Sequence, residues 1–320
     1  MKKSRIILLA VLVVFLVVTV SITGYRNNVI SEAKTGYLVY VDNNINVIDL
    51  ETTTKTEYNV DGYSNLRCIG NYYGGDFCCL AFNNETKDQE ILLFKNGTVE
   101  KSYSVSKKII CISAYNDKVY YLAEESRNKG SLNCIYKDET ELIANDVEEF
   151  AINSIGEIVY IIEKPDNDNQ SSVEDDINGE LYYLADNKTI KLGEACGVDA
   201  WLSNDELLIT TEKVDITYRE NGEVASAGHT FEEYIVYVEN NEWTYSKEFN
   251  KVPHVVDISP DNNKAITFIT SEGFDIPYYG IYHIEKDIFM KKAIYDGVNN
   301  EDVFEEMGSN TLWLNENPME

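Results

Sequence analysis

The sequence predicts an all-β chain: a β-propeller, most simply one of six four-stranded blades, preceded by one N-terminal transmembrane helix. Three observations predict it. A two-strand pattern recurs every 42 to 54 residues, a second two-strand pattern recurs between its copies, and helical periodicity is nearly absent beyond residue 30.

The first pattern aligns without a gap in EILLFKNGTVEKSYSV from Glu90, LNCIYKDETELIANDV from Leu132, ELYYLADNKTIKLGEA from Glu180, YIVYVENNEWTYSKEF from Tyr234 and GIYHIEKDIFMKKAIY from Gly280. INVIDLETTTKTEYNV from Ile45 follows the same plan with a longer turn, and successive starts lie 45, 42, 48, 54 and 46 residues apart. Each copy is an apolar strand, a polar turn such as Asn96-Gly97 or Asp186-Asn187, and a more polar strand. This is a hairpin signature, and Asn-Gly favours a type I′ turn.

The second pattern reads LRCIGNYYGGDFCCLAF, IICISAYNDKVYYLAE, EFAINSIGEIVYIIE, DAWLSNDELLITTE and VVDISPDNNKAITFIT. It supplies a strand, a turn rich in Gly, Asn, Asp and Ser, and a markedly apolar strand. Together the patterns give four antiparallel strands per repeat, A to D. Strand B is the most uniformly apolar, as expected when both faces are covered. Four-stranded units at this period are the mark of a propeller, in which each sheet buries its faces against its neighbours. The domain opens with GYLVYVDNNINVIDL, which supplies B, C and D but no A. An A strand near Asp302–Met307 is expected to complete that first blade and remove the open edge, which leaves Thr311–Asn315 surplus, either as a cap on the closing blade or as part of a seventh, incomplete one.

DISPDNNKAITFIT (Asp257–Thr270) followed by GIYHIEKDIFMKKAIY resembles the repeat of TolB-like six-bladed propellers. Ser259-Pro260-Asp261 stands intact there, with Asn262 where that family has Gly; the other repeats keep only the hydrophobic pattern. The resemblance implies a protein-interaction platform.

At the N-terminus, Lys2, Lys3 and Arg5 precede an apolar run from Ile6 to Ile22 broken only by Thr19 and Ser21. That length spans a bilayer, and the basic flank places the N-terminus inside. The expected organisation is a cytoplasmic stub over 1–5, an anchor over 6–23, a linker over 24–35 and the propeller over 36–320. The protein is thus expected at the cell membrane as a single-pass protein, with the bulk of the chain outside the cytoplasm. A cleaved signal peptide is the alternative, although its apolar region is usually shorter and ends in a small-x-small site.

The chain has 27 basic and 55 acidic residues, a net charge of −28. Such a field repels phosphate backbones and offers no basic footprint, which argues against a nucleic-acid partner. Five of the six cysteines lie in apolar strand-like runs, where free Cys packs as a small hydrophobe. Cys68 and Cys79, facing across a hairpin, leave one disulfide open.

Catalytic inventory is thin. There is no G-x-S-x-G elbow, no Gly-rich phosphate loop, no C-x-x-C pair, and only His229, His254 and His283 as histidines. Asp166 and Asp168 open an acidic stretch, DNDNQSSVEDD, but Ser171 and Ile177 stand where an EF-hand requires Gly and Glu. No cofactor is expected, with Ca²⁺ in a looser site as the alternative. The informative feature is the position of the insertions. Both Glu163–Gly179 and Glu212–Glu233 are B–C connections of consecutive repeats, so they leave the ring on one face. Insertions in repeat proteins commonly mark the binding face. Tyr218, Arg219, His229 and Phe231, with Asp166 and Asp168, are therefore the candidate contacts for a protein or cell-envelope component. A lactonase-like enzyme using carboxylates and Ca²⁺ in the central channel is the alternative.

Overall fold

A computed structural model describes residues 35–52, 54–126, 129–164, 178–219, 224–239, 242–248, 255–259, 264–269, 278–284, 288–290 and 311–320. Among them no helix is long and apolar enough to cross a membrane; the anchor expected over residues 6–23 lies outside the described residues, as do Asp166 and Asp168.

The strands fall into antiparallel sets of four. The first comprises β1 (Tyr37–Asp42), β2 (Asn44–Asp49) and β3 (Thr54–Tyr58). The second comprises β4 (Tyr63–Tyr73), β5 (Phe77–Asn83), β6 (Gln89–Lys95) and β7 (Thr98–Val105). Next come β8 (Ile109–Tyr115), β9 (Lys118–Ser126), β10 (Lys129–Tyr136) and a long β11 (Glu139–Ile152). The first half of β11 pairs with β10 and its second half with β12 (Ile158–Ile162), so one strand ends a set and begins the next. That next set continues through β13 (Gly179–Ala185) and β14 (Lys188–Ala195). Two further sets are β15 (Gly197–Trp201), β16 (Glu206–Tyr218), β17 (Val224–Glu239), β18 (Glu242–Glu248), and β19 (Val255–Ile258), β20 (Lys264–Ile269), β21 (Tyr278–His283), β22 (Ile288–Met290). The last strand, β23 (Thr311–Leu314), pairs with β1 from Tyr37↔Leu314 to Tyr40↔Thr311 and completes the first set.

This corrects the expected closure. The closing strand is Thr311–Leu314 itself, the segment that the sequence left surplus, while residues 301–310 lie outside the described residues. The physical reason is apolarity: Thr311, Leu312 and Trp313 are buried on both faces, which Glu305, Glu306 and their neighbours could not be without stranding charge.

Turn chemistry fixes the hairpins. Asn96-Gly97, Lys137-Asp138 and Asp186-Asn187 all have positive φ at both central residues, the type I′ geometry whose twist matches that of the flanking strands. The middle strands are buried on both faces, as β6 illustrates. Its Ile91 and Leu93 pack into one apolar cluster with Ile112, Val119 and Tyr121, whereas Leu92 and Phe94 pack into another with Val39, Val47 and Phe77. Phe77 and Phe94 stack with centroids 4.5 Å apart. Further clusters join later sets, including Val159 and Leu181 with Leu207 and Val236, and Leu208 and Ile235 with Ile258 and Tyr282. The core is therefore a series of sheet-on-sheet interfaces rather than one centre.

The innermost strands follow one another in the order β4, β8, β11, β15, β19, β23, and β23 in turn neighbours β4. They surround a central channel and approach closely. A Cβ added at Gly70 would lie 1.9 Å from the Ile112 carbonyl oxygen on the next inner strand. Each of β4, β8, β11, β15 and β19 also carries a register shift in its pairing.

All six cysteines are thiols. Cys68 does not face Cys79: it sits in a bulge with φ 56° while Ile69 pairs with Cys79, and its thiol donates to the Ile110 carbonyl at 2.9 Å. Burial pushes its pKa up to about 11, which leaves it protonated and unreactive at neutral pH.

Candidate functional site

Two features stand out from the scaffold: a hairpin beyond the ring and the channel within it.

The insertion Glu212–Glu233 is not a loop. β16 and β17 continue past the ring as a paired ribbon, in register from Thr211↔Glu232 to Thr217↔Ser226 and on to Tyr218↔Val224 after one irregularity. The sequence explains this. Val214 and Ile216 alternate with Lys213 and Asp215 on one arm, the period-two pattern of a strand with one apolar face. Asn221-Gly222 then lies at the tip of the sequence, the strongest short-range hairpin signal.

The ribbon's faces follow from the ring. Leu208 and Ile235 pack toward the set that begins with β19. Val214, Ile216, Tyr218 and Phe231 continue that same face by register, and Tyr218 and Phe231 are each 56 % exposed. Arg219 is exposed just beyond Tyr218. His229 takes its place in the ladder opposite Val214. Thus the candidates Tyr218, Arg219, His229 and Phe231 share one projecting element.

The base of the ribbon is pinned to the neighbouring set. The Asn178 side-chain amide donates to the Glu212 carbonyl at 2.8 Å, and its oxygen accepts the Glu212 N–H at 2.8 Å. Asn178, Glu212 and Glu233 are all buried there. β15 pairs with β16 only as far as Thr210, so this amide takes over where the strand partner ends. Asn178 also closes the first insertion. The two B–C connections are therefore anchored to each other at their bases.

The channel encloses a cavity of about 740 Å³ lined by Asn71, Asp76, Glu149, Asp199, Trp201 and Asp257 among others. Glu149, Asp199 and Asp257 each stand at or beside the irregularity in β11, β15 and β19. A bulge re-aims a side chain and frees a backbone group. Accordingly, Glu149 accepts the Val198 N–H at 2.8 Å, and Asp257 accepts the Trp313 N–H at 2.5 Å, each across to the next inner strand. Asp199 accepts the Thr210 hydroxyl at 2.8 Å. Burial raises Glu149 to about 7, assisted by the charges of Asp199 and Glu148, and burial likewise raises Asp257 to about 7. The Glu149 side chain is exposed only toward this cavity, whose protein walls surround it.

Sequence reasoning did not single out these acids or Asn178. Nothing in a period-two pattern marks a bulge, and one amide at the end of a polar insertion carries no motif. Among the described residues, no group of three or more His, Cys, Asp or Glu is placed to hold a metal ion. His283 is buried in β21; His254 lies outside the described residues.

No family model and no curated protein matches the chain. Among solved structures, the chain is similar to the β-propeller domain of the Trilobed protease from Pyrococcus furiosus. They share 14 % identity at a TM-score of 0.46, over 75 % of this chain and 72 % of that one. It is also similar to hydrazine synthase from Kuenenia stuttgartiensis, at 12 % identity and TM-score 0.45 over 76 % and 71 % of the two chains. A third is TolB from Acinetobacter baumannii, at 11 % identity and TM-score 0.42 over 80 % and 65 %.

Proposed function

We propose that this chain is a TolB-like six-bladed propeller, held at the outer face of a cell membrane by its N-terminal segment, that binds a protein or cell-envelope component. The contact surface is the face that carries the B–C connections. One observation supports this above the rest: a ribbon pinned at its base presents Tyr218 and Phe231 to solvent on one apolar face. An aromatic pair beside an Arg is the composition of a binding hot spot, and a two-stranded ribbon is marginal without something against it. The single-pass anchor and extracytoplasmic placement rest on the charge and apolarity of residues 1–23.

The test is capture from an envelope extract by the full-length protein. Replacing the ribbon beyond Thr211 and Glu232 with a short Gly-Ser link should abolish capture while the melting transition stays cooperative, because loop closure depends weakly on length. Undiminished capture by the folded variant overturns the assignment.

A second reading is an enzyme of lactonase type working in the channel, with carboxylates and Ca²⁺. Glu149, Asp199 and Asp257 lining one cavity favour it. It ranks second because each of those carboxylates already accepts a hydrogen bond from a neighbouring strand.

A further inference from the structure

Beyond the Asn178 contact at Glu212, neither ladder edge of the ribbon formed by β16 and β17 carries a further strand among the described residues. β15 pairs with β16 only through Thr210, and β18 pairs with β17 only from Tyr234 onward. Among the described residues, no strand flanks Val224–Glu233 on the side away from β16. Edge strands expose unpaired N–H and C=O groups and are normally guarded by charge or proline. The β16 edge is guarded by Lys213 and Asp215, with Arg219 following. The β17 edge is not: Val224-Ala225-Ser226-Ala227-Gly228-His229-Thr230-Phe231 carries no formal charge and no proline in a chain that is 26 % charged.

We propose that the Val224–Phe231 edge is a strand-addition site for an extended segment of a partner protein, one with an alternating apolar pattern and basic residues at its flanks. This rests on the assignment of the contact face above and specifies its partner. The direction of the backbone follows from Asn178. Because Glu212 turns its N–H and C=O away from β17 to meet that amide, the pairs Glu212↔Phe231, Val214↔His229 and Ile216↔Ala227 are of the non-hydrogen-bonded kind. Ala227, His229 and Phe231 therefore turn their own N–H and C=O groups outward, ready for a third strand. Main-chain bonds of this sort supply affinity, and the alternate side chains supply choice.

Charge selects the occupant. Glu223 precedes the uncharged run and Glu232 follows it, in a chain of net charge −28. A second copy laying this run antiparallel against itself would set acid opposite acid at both ends, which is destabilising. A segment flanked by Lys or Arg meets those acids favourably.

The test uses the full-length protein in detergent and a fluorescent peptide, Lys-Lys-Val-Thr-Val-Thr-Val-Thr-Lys-Lys, read by anisotropy. Saturable binding is expected, with the Ala227 and His229 amides gaining protection from hydrogen exchange. The same peptide flanked by Glu should not bind. Ala227→Pro removes an outward N–H and leaves the β16 ladder intact, so peptide affinity should fall at least about tenfold; His229→Pro is an independent second variant, and circular dichroism checks the fold of both. Equal binding by either folded variant, equal binding of the Glu-flanked peptide, or a dimer that Ala227→Pro converts to monomer each overturns the proposal. Envelope capture separates the two claims. If capture survives Ala227→Pro but is lost on replacing the ribbon, strand addition fails while the contact face stands.

Discussion

At the scale of single residues, the channel acids make the fold sensitive to pH in a direction that can be worked out. Glu149 and Asp257 have ordinary pKa values of 4.5 and 3.8 and are raised to about 7 in the folded chain, first by burial. Between those limits the folded state binds more protons than the unfolded one. Stability therefore falls as pH rises from about 4 through 7, and the destabilisation is complete above the folded pKa. The net charge of −28 acts in the same sense, so absolute stability against pH does not isolate these two groups. The difference between variants does. Glu149→Gln and Asp257→Asn keep an oxygen to accept the Val198 and Trp313 N–H groups while removing the charge. Thermal melts should show each variant more stable than the parent at pH 8, with the gap closing by pH 5. A gap that is constant with pH, or of opposite sign, would mean that neither acid titrates in this range. Glu149 opens more widely to the cavity than Asp257 does, so the larger response is expected from Asp257. Burial raises the pKa of Tyr73, and the charge of Asp257 adds to that rise.

At the scale of elements, the ribbon depends on Asn178. One side chain satisfies both the N–H and the C=O of Glu212 at the point where β15 stops. Asn178→Ala leaves two buried backbone groups unmet, at a cost of about 1–3 kcal/mol each. Melting should shift down accordingly, and the Glu212 amide should lose its protection from hydrogen exchange. Asn178→Asp, which keeps the acceptor and loses the donor, should fall between the parent and Asn178→Ala in amide protection. A variant with unchanged melting and unchanged protection would show that the ribbon stands without this clamp. The ribbon itself is legible in the sequence, since Val214 and Ile216 alternate with Lys213 and Asp215, and Asn221-Gly222 is a hairpin signal. Alignment to the repeat hides it: whatever exceeds the shared length reads as a loop. Tyr218, Arg219, His229 and Phe231 accordingly stand on a paired ribbon and its margin rather than on an irregular loop. The clamp was not legible, because its two halves lie 34 residues apart and neither belongs to a motif. The channel acids escaped for a related reason: they act through bulges, which a strict alternation does not contain.

At the scale of the whole molecule, the question is what closes the ring. The repeat period and the missing strand of the first set were enough to predict that the C-terminus returns to the N-terminus, yet two candidate strands stood side by side there. Burial decides between them. Leu312 packs into the cluster that joins Val39, Val47 and Phe77, and Trp313 is 3 % exposed. Trp313 donates its indole N–H to the Thr35 carbonyl at 3.0 Å and its backbone N–H to Asp257, tying the first set to the last. Deleting residues 311–320 therefore removes a paired strand, exposes the ladder edge of β1 and strips the lining from one side of the channel. Loss of a buried Trp alone costs about 3–5 kcal/mol, a large part of the margin by which a domain is stable. The truncated protein should melt at a much lower temperature, and the bared edge should drive aggregation. Deleting only 316–320 is the control, since it spares β23 and removes a tail whose Met319 packs at the margin of the Leu312 cluster and against the turn at Gly97. That variant should keep a cooperative transition, lowered far less than by the longer deletion. If the longer deletion instead melts like the shorter one, β23 does not carry closure, and the ring must be held by the sheet-on-sheet clusters alone.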